Sequence, residues 1–394
     1  MRRALLYNSI LAGADLSGAD MVGANLINAD VSNAKLIGTD ISESRCHGAD
    51  FSGSQLINCR LAFTNLTATN ITNANLSGSY LVASDLIGSD LSRADLSGAN
   101  LEIAYMHNTK IINAKLAGAS LPGAHLEDSD LSNSNLEDAD LTGALLAGCN
   151  LNGTNLNGVR MLGADLSQAI LDGVHLTRAN MVGAKMNWIE MGDSSLTNSQ
   201  FSRAELFGAN LSHSDLTGSD FTRAYLVRTD LSDCILKDVT LDYADLSNAN
   251  LRNAHMDQGR LYNLFMSGAD LSGAYLRGSY MYGMTLDGTI WHKANLRSSN
   301  IILMNILNAD FGGADLRNTR FAQIYFNNTN FSGADLRGAV FDTCAFENAD
   351  FSGADLQGVK YDSIALGFFA VSKLDGAKIS ADLQNDLEKL RSGK

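Results

Sequence analysis

Proline occurs once in 394 residues, at Pro122, and aromatic residues make up only 7% of the chain. No apolar run approaches the roughly 20 residues that a membrane-crossing helix needs. No linker, loop insertion or tract of biased composition interrupts the sequence. Basic residues are outnumbered: 29 Lys and Arg stand against 43 Asp and Glu, a net charge of −14. That balance argues against direct nucleic-acid binding and suits a self-repelling soluble protein, or one whose partner is basic. A catalytic constellation is missing too. No glycine loop opens a helix to cradle a phosphate, and the nine-residue period of calcium-binding β-helices is absent. The threonine column Thr177, Thr197 and Thr217 is too short to match ice. Neither an enzyme nor a cofactor is expected.

What the chain does have is a period. Every fifth residue from Leu11 to Leu366 is apolar, and the residue two before it is nearly always small, as in Ala14-Asp15-Leu16-Ser17-Gly18 and Ala94-Asp95-Leu96-Ser97-Gly98. A fixed repeat is read before any other signal. At about 100° per residue, a spacing of five scatters these positions round a helix and makes no stripe. In extended backbone, residues two apart share a face, so the small residue and the apolar centre point the same way. The Gly or Asn that usually follows can take the left-handed conformation of a turn. Each unit therefore reads as a very short strand plus a corner. One unit cannot bury its leucine, but stacked coils can.

Units such as GADLS, GANLI, NADVS and GADLR resemble the A(D/N)LXX repeat of the pentapeptide-repeat family, over about residues 5–368. The resemblance implies an all-β fold, a right-handed quadrilateral β-helix with four units per coil and with centre and small residue inside. The sequence supports the four-unit coil independently. Leu264, Met284, Met304, Ile324 and Ile364 occupy the small position, and multiples of twenty separate them. We expect a single uninterrupted domain over 1–368, of about 18 coils stacked ~4.8 Å apart, and a C-terminal cap over 369–394. Each buried centre contributes roughly 1.5–3 kcal/mol before chain entropy. Cys46 is a centre, and Cys59, Cys149, Cys234 and Cys344 take the small inward position. No two share a side of neighbouring coils, so disulfides are not expected and a reducing compartment fits. Arg2 and Arg3 ahead of an apolar run look like a short signal peptide. Leu6 and Leu11 are already in register, however, so the start reads as the first coil and the protein as cytoplasmic.

The outward positions carry the functional candidates. Apolar outward residues gather on two adjacent sides and are densest over 262–325, where LYNLFM, MYGMTL, IILMNIL and FAQIYF follow one another. Stacked, these place Tyr262, Tyr282 and Ile302 in one column, with Phe265, Tyr280, Leu303, Leu307 and Tyr325 beside it. One reading is a protein-contact surface, since soluble monomers rarely expose such a patch without use. The other is a locally widened coil, with Leu264, Met284 and Met304 packed inward under covering tyrosines. A second side is acidic: Asp30, Asp50, Asp90, Asp130, Glu190, Asp230, Asp270, Asp310 and Asp350 take equivalent positions. Asp is an ordinary outward residue of such repeats, and a row of carboxylates also imitates DNA phosphates. A third side stacks Arg277, Arg297, Arg317 and Arg337 beside Asp315, Asp335 and Asp355, which reads as interleaved ion pairs. The seven histidines all face outward, and their one cluster, His107 and His125 with Glu127 and Asp128, reads as solvated surface, so no metal is expected.

Towards the C-terminus the centres become phenylalanine, and the register fails after Leu366. Ser380 can then cap a short α-helix over about 381–391, with Leu383, Leu387 and Leu390 on one face. This helix covers the strand edges that an open solenoid end exposes; the N-terminal edge has no equivalent. The resemblance implies a tail-to-tail homodimer through this C-terminal cap. Two functions follow. The first is a rigid, non-catalytic scaffold for an unidentified protein partner. The second, which the resemblance implies, is a DNA mimic that binds a type II topoisomerase (gyrase) and protects it from inhibitors.

Overall fold

The computed structural model describes residues 1–392 and places the chain in two compact units, Met1–Glu205 and Leu206–Lys394. In the first unit, parallel bridges join each residue before a centre to the residue twenty further on, from Leu5 with Asn25 to Lys185 with Glu205. Twenty residues therefore make one coil, and a turn recurs every five. The Ala14 N–H donates to the Leu11 carbonyl at 3.0 Å to close a corner, while the Leu16 N–H reaches Lys35 O in the next coil at 2.7 Å. The second residue of each turn is left-handed, for example Gly18 at φ 67° and Asn28 at φ 52°. Gly and Asn are the residues that reach this region at least cost.

The inward positions build the core. From Met21 onwards the centres of the first unit are fully buried, whereas Leu6, Leu11 and Leu16 in the first coil are half-buried. Most inward Ser, Thr and Cys hand their polar atom to a backbone carbonyl, Ser84 Oγ being an exception. Thr39 Oγ1 donates to Leu16 O at 2.8 Å, and Cys149 Sγ donates to Leu126 O at 2.9 Å. All five cysteines are buried and free, and burial pushes the thiols up to about 12.

The second unit is a parallel β-solenoid with the same register, but its bridges lengthen into strands. These are β1 (Arg260–Tyr262), β2 (Tyr280–Tyr282), β3 (Asn300–Leu307), β4 (Arg320–Asn327), β5 (Val340–Asp342), β6 (Ala345–Glu347), β7 (Asp355–Leu356) and β8 (Lys360–Tyr361). They pair in the order β1-β2-β3-β4-β5-β8, with β6 on β4. Leu264, Met284, Met304 and Ile324 are buried at 0%, 3%, 7% and 2% exposure. Side chains of that length replace the usual alanine, and β3 and β4 continue their pairing for eight residues round the corner they fill, through left-handed Leu303 and Gln323. Inside, rings stack coil on coil: Trp291 on Phe311 at 5.5 Å, Phe311 on Phe331 at 5.3 Å and Phe331 on Phe351 at 4.9 Å.

The end of the solenoid differs from expectation. The repeat stops at Tyr361, and α1 (Ser363–Phe369) replaces the next side, with Asp362 accepting the Ala365 N–H at 2.9 Å as its cap. Ile364 consequently does not join the inward column; it is 47% exposed on α1. Phe369 instead turns inward and plugs the ring stack, 5.4, 5.0 and 5.3 Å from Phe341, Phe346 and Phe351. The chain then rejoins the ladder, with Lys373 on Asp350 and β9 (Lys378–Ile379) on β7. The partner is now twenty-three residues away, so the helix has added three. Helix α2 (Ala381–Ser392) follows, and the Leu383 N–H donates to Ser380 Oγ at its start. Leu383 and Leu387 are buried, but Leu390 lies off that face at 49% exposure. Among the described residues, no helix is long and apolar enough to cross a membrane.

Candidate functional site

The aromatic corner lies wholly in the second unit, on β1 to β4 and the isolated bridge at Phe265. Parallel pairing sets Tyr262, Tyr282 and Ile302 directly over one another. Tyr280 leans on Tyr262 with ring centres 5.7 Å apart, and Leu303 follows Ile302 at φ 55° and 46% exposure. These five residues form a continuous surface. The other three are less well joined. Phe265 is 49% exposed but is followed in its column by Thr285. Tyr325, paired with Asn305, gives its hydroxyl to Glu347, which raises its pKa. Leu307 is bridged to polar Asn327. Leu264, Met284 and Met304 are buried at the inward position, while Tyr280, Tyr282 and Leu303 stay exposed over them.

A concavity adjoins this surface that the repeat pattern did not single out. It is lined by Asp238, Val239, Thr240, Asp242, Gln258 and Arg260, and Tyr262 closes it. Two deviations mark it in the sequence: Val239 is large for its inward position, and Gly259 stands where Ala is usual. A side chain at Gly259 would approach Met256 O within 2.9 Å.

The acidic column is bound into the backbone. Asp30 Oδ1 accepts the Ser32 N–H at 3.0 Å, and the same two-residue turn recurs at Asp50, Asp90, Asp130, Asp230, Asp270, Asp310 and Asp350. The Ser32 hydroxyl and amide hold the Asp30 carboxyl below its ordinary value. In the first unit, Asp30 and Asp50 are direct neighbours, but Asn70, Lys110 and Asn150 then separate the acids, and Glu190 sits beyond Ile170. Asparagine amides donate to the carboxylates, Asn70 to Asp50 at 3.0 Å and Asn150 to Asp130 at 3.1 Å. In the second unit, Asn250 and Asn330 do the same for Asp230 and Asp310. Basic side chains cover others: Arg252 lies 2.6 Å from Asp270 and Lys373 2.7 Å from Asp350, and the His292 ring hydrogen-bonds Asp310 at 2.7 Å.

Three of the four arginines in the column, Arg277, Arg317 and Arg337, form ion pairs. Arg317 grips Asp315 with two hydrogen bonds of 2.8 and 2.6 Å, and Arg337 does the same to Asp335. Arg277 pairs with Asp257 at 2.6 Å. Among the described residues, one set of three metal-ligating side chains converges, His107, His125 and Glu127, in the first unit.

The model of the family described as "Pentapeptide repeats (8 copies)" matches overlapping segments from 1–38 to 219–258 and further segments at 266–301 and 305–342, and that of "Pentapeptide repeats (9 copies)" matches 326–364. No curated protein matches the chain. Among solved structures, HetL, a pentapeptide repeat protein involved in heterocyst differentiation regulation from the cyanobacterium Nostoc sp. Strain PCC 7120, is 29% identical. The match covers 58% of this chain and 89% of that one, with a TM-score of 0.32. QnrB1, a plasmid-mediated fluoroquinolone resistance protein, is 23% identical over 57% of this chain and 100% of its own, with a TM-score of 0.21. Rfr23, a pentapeptide repeat protein from the cyanobacterium Cyanothece 51142, is 27% identical over 27% of this chain and 58% of its own, with a TM-score of 0.16.

Proposed function

The chain belongs to the pentapeptide-repeat family, and from that premise we propose that it is a non-catalytic scaffold that docks a protein partner on the corner of Tyr262, Tyr280, Tyr282, Ile302 and Leu303. The observation that carries the reading is the stacking of Tyr262, Tyr282 and Ile302 with Tyr280 and Leu303 beside them in one apolar patch. Leu303 sits in the left-handed region, where a side chain costs roughly 1–2 kcal/mol that glycine avoids. It gains little burial in return, being 46% exposed. Phe63, Ile103, Trp188 and Tyr243 take the same exposed left-handed position singly, whereas Leu303 stands beside the stacked Tyr262, Tyr282 and Ile302. Tyrosines beside it supply contact area at low entropic cost, and exposed Arg260 at the rim suits a partner with a carboxylate there. A photo-crosslinker at position 282 tests this in cells. An adduct of defined mass that Leu303→Asp abolishes, with the circular dichroism spectrum unchanged, supports the reading. No adduct at 282, or one equally strong from the polar corner at 248, refutes it.

The net charge of −14 favours the second reading, a gyrase-binding DNA mimic. Against it, the acids of the column are spent on turns, asparagines and cations, whereas a phosphate row presents unshared charge. Supercoiling by gyrase, with and without a quinolone, is expected to be unaffected by the protein; inhibition or protection would reverse this preference. The tail-to-tail dimer belongs to the same proposal. Val371 and Leu390 expose 80% and 49% of their surface at the cap, and a monomer mass in sedimentation at high concentration would remove it.

A further inference from the structure

Two histidines and a glutamate meet on one side of the first unit. His125 and Glu127 flank the buried centre Leu126, and His107 follows the centre Met106 one coil below. Pairing of Tyr105 with His125 and the hydrogen bond from the Asn108 N–H to Glu127 O, 3.1 Å, lock the two coils in register. The two imidazoles aim the same nitrogen at one carboxylate. His107 Nδ1 lies 2.7 Å from Glu127 Oε2, and His125 Nδ1 lies 3.7 Å from Oε1. The ligand atoms of all three fall within 4.8 Å of one another. Their side chains are only 28%, 34% and 28% exposed for His107, His125 and Glu127.

We propose that His107, His125 and Glu127 bind one divalent cation of the zinc class. Imidazole nitrogen and carboxylate oxygen are its ordinary ligands at ~2.0–2.2 Å, and a tetrahedron of that size has edges of roughly 3.3 Å. The three donors already stand near that spacing, so modest side-chain rotations close the site. A cation between them takes the place of the proton that a histidine–carboxylate contact otherwise shares, and the fourth position faces water.

The rings around the cluster hold it in place. Tyr105 stacks on His125 with centroids 5.0 Å apart and planes 24° from parallel, and the two imidazoles meet edge to face at 5.5 Å. Rotamer freedom that a free surface histidine would lose on binding is therefore partly lost beforehand. Two nitrogens and one carboxylate select Zn²⁺, with Ni²⁺ and Cu²⁺ as its competitors, over Ca²⁺ and Mg²⁺, which take oxygen ligands. The site differs from the His292–Asp310 pair, which brings one nitrogen to one carboxylate. Binding would clip adjacent coils together across their outer surface.

The test uses the full-length, tag-free protein after chelator treatment, titrated with zinc sulfate by calorimetry. One equivalent should bind, and Co²⁺ in its place should give the intense visible absorption of a four-coordinate site. His107→Gln with His125→Gln should lose that step, Glu127→Gln should weaken it, and His175→Gln should keep it, all with the wild-type circular dichroism spectrum. Failure of the wild type to bind a stoichiometric ion overturns the proposal and leaves the cluster a histidine–carboxylate hydrogen bond. Binding that survives the double substitution, or Ca²⁺ binding as tight as Zn²⁺, overturns it as well.

Discussion

Phe369→Ala should loosen the end of the second unit and leave the first unit as it was. Phe369 is fully buried, and its ring touches Phe341, Phe346, Phe351 and Tyr361. Truncating a core phenylalanine costs about 3–5 kcal/mol, the larger values arising where neighbours cannot close the cavity. Helix α1 spans seven residues and lies at the end of the stack, so it can shift, and the lower figure of about 3 kcal/mol applies. A solenoid is stabilised by nearest-neighbour terms, so the loss stays local. Native-state hydrogen exchange measures it. Amides such as Val340, bonded to Thr319 O, and Lys360, bonded to Ala339 O, should exchange roughly a hundredfold faster, since about 1.4 kcal/mol is a factor of ten. Amides of the first unit should keep their rates. Unchanged exchange in β5 and β8 would refute the plug. Acceleration spread evenly over both units would refute the locality on which the magnitude depends.

Three further outcomes are expected. Leu303→Asn should stabilise the second unit or leave it neutral, by up to about 1 kcal/mol in urea unfolding, because asparagine accepts the left-handed turn; a clear loss would mean that Leu303 packs more than its exposure suggests. Acid should weaken the second unit only at low pH: Arg317 and Arg337 hold the Asp315 and Asp335 carboxyls below their ordinary values. A depressed carboxylate contributes in full above its unfolded pKa of about 3.9 and loses that contribution as pH falls through the folded value. Asp335→Asn should flatten this part of the pH–stability curve, and an unchanged curve would show the pair to be inert. Finally, the native thiols should resist a disulfide reagent at pH 8, being buried and pushed up to about 12, and all five should react after unfolding; rapid labelling of the native protein would contradict the packing.

How much could be read from the chain depended on which way a residue faces. Inward positions were legible because burial leaves few options: an apolar centre, a small neighbour and a left-handed corner recur until the pattern is unmistakable. The large residues Leu264, Met284, Met304 and Ile324 were legible as one column, spaced as twenty residues per coil requires. Helix α1 was not. Tyr361 and Leu366 continue the five-residue spacing, and nothing in that spacing shows that Asp362 caps a helix rather than starting another side. Ile364 therefore looked like a fifth member of the column, and three added residues concealed that Lys373 and Lys378 return to the ladder.

Outward positions carry meaning only with their neighbours twenty residues away. Read along the chain, Asp50, Asp130, Asp230 and Asp310 are acids and imply an acidic face. Read across coils, each meets an asparagine that donates to it and a backbone amide that needs it. The same rule operates in reverse at the histidines. His107 and His125 are eighteen residues apart and look solvated in one dimension, yet one step of the coil sets both against Glu127. Carboxylate oxygens are thus engaged in one column, while imidazole and carboxylate atoms converge in another. In such a fold the unit that carries function is a pair of stacked outward positions, so single substitutions at Asp50 and Asn70, or at His107 and Glu127, should behave as coupled pairs in double-mutant cycles. Additive effects at both pairs would mean that the columns are geometric coincidences, and the two surfaces argued from them would lose their basis.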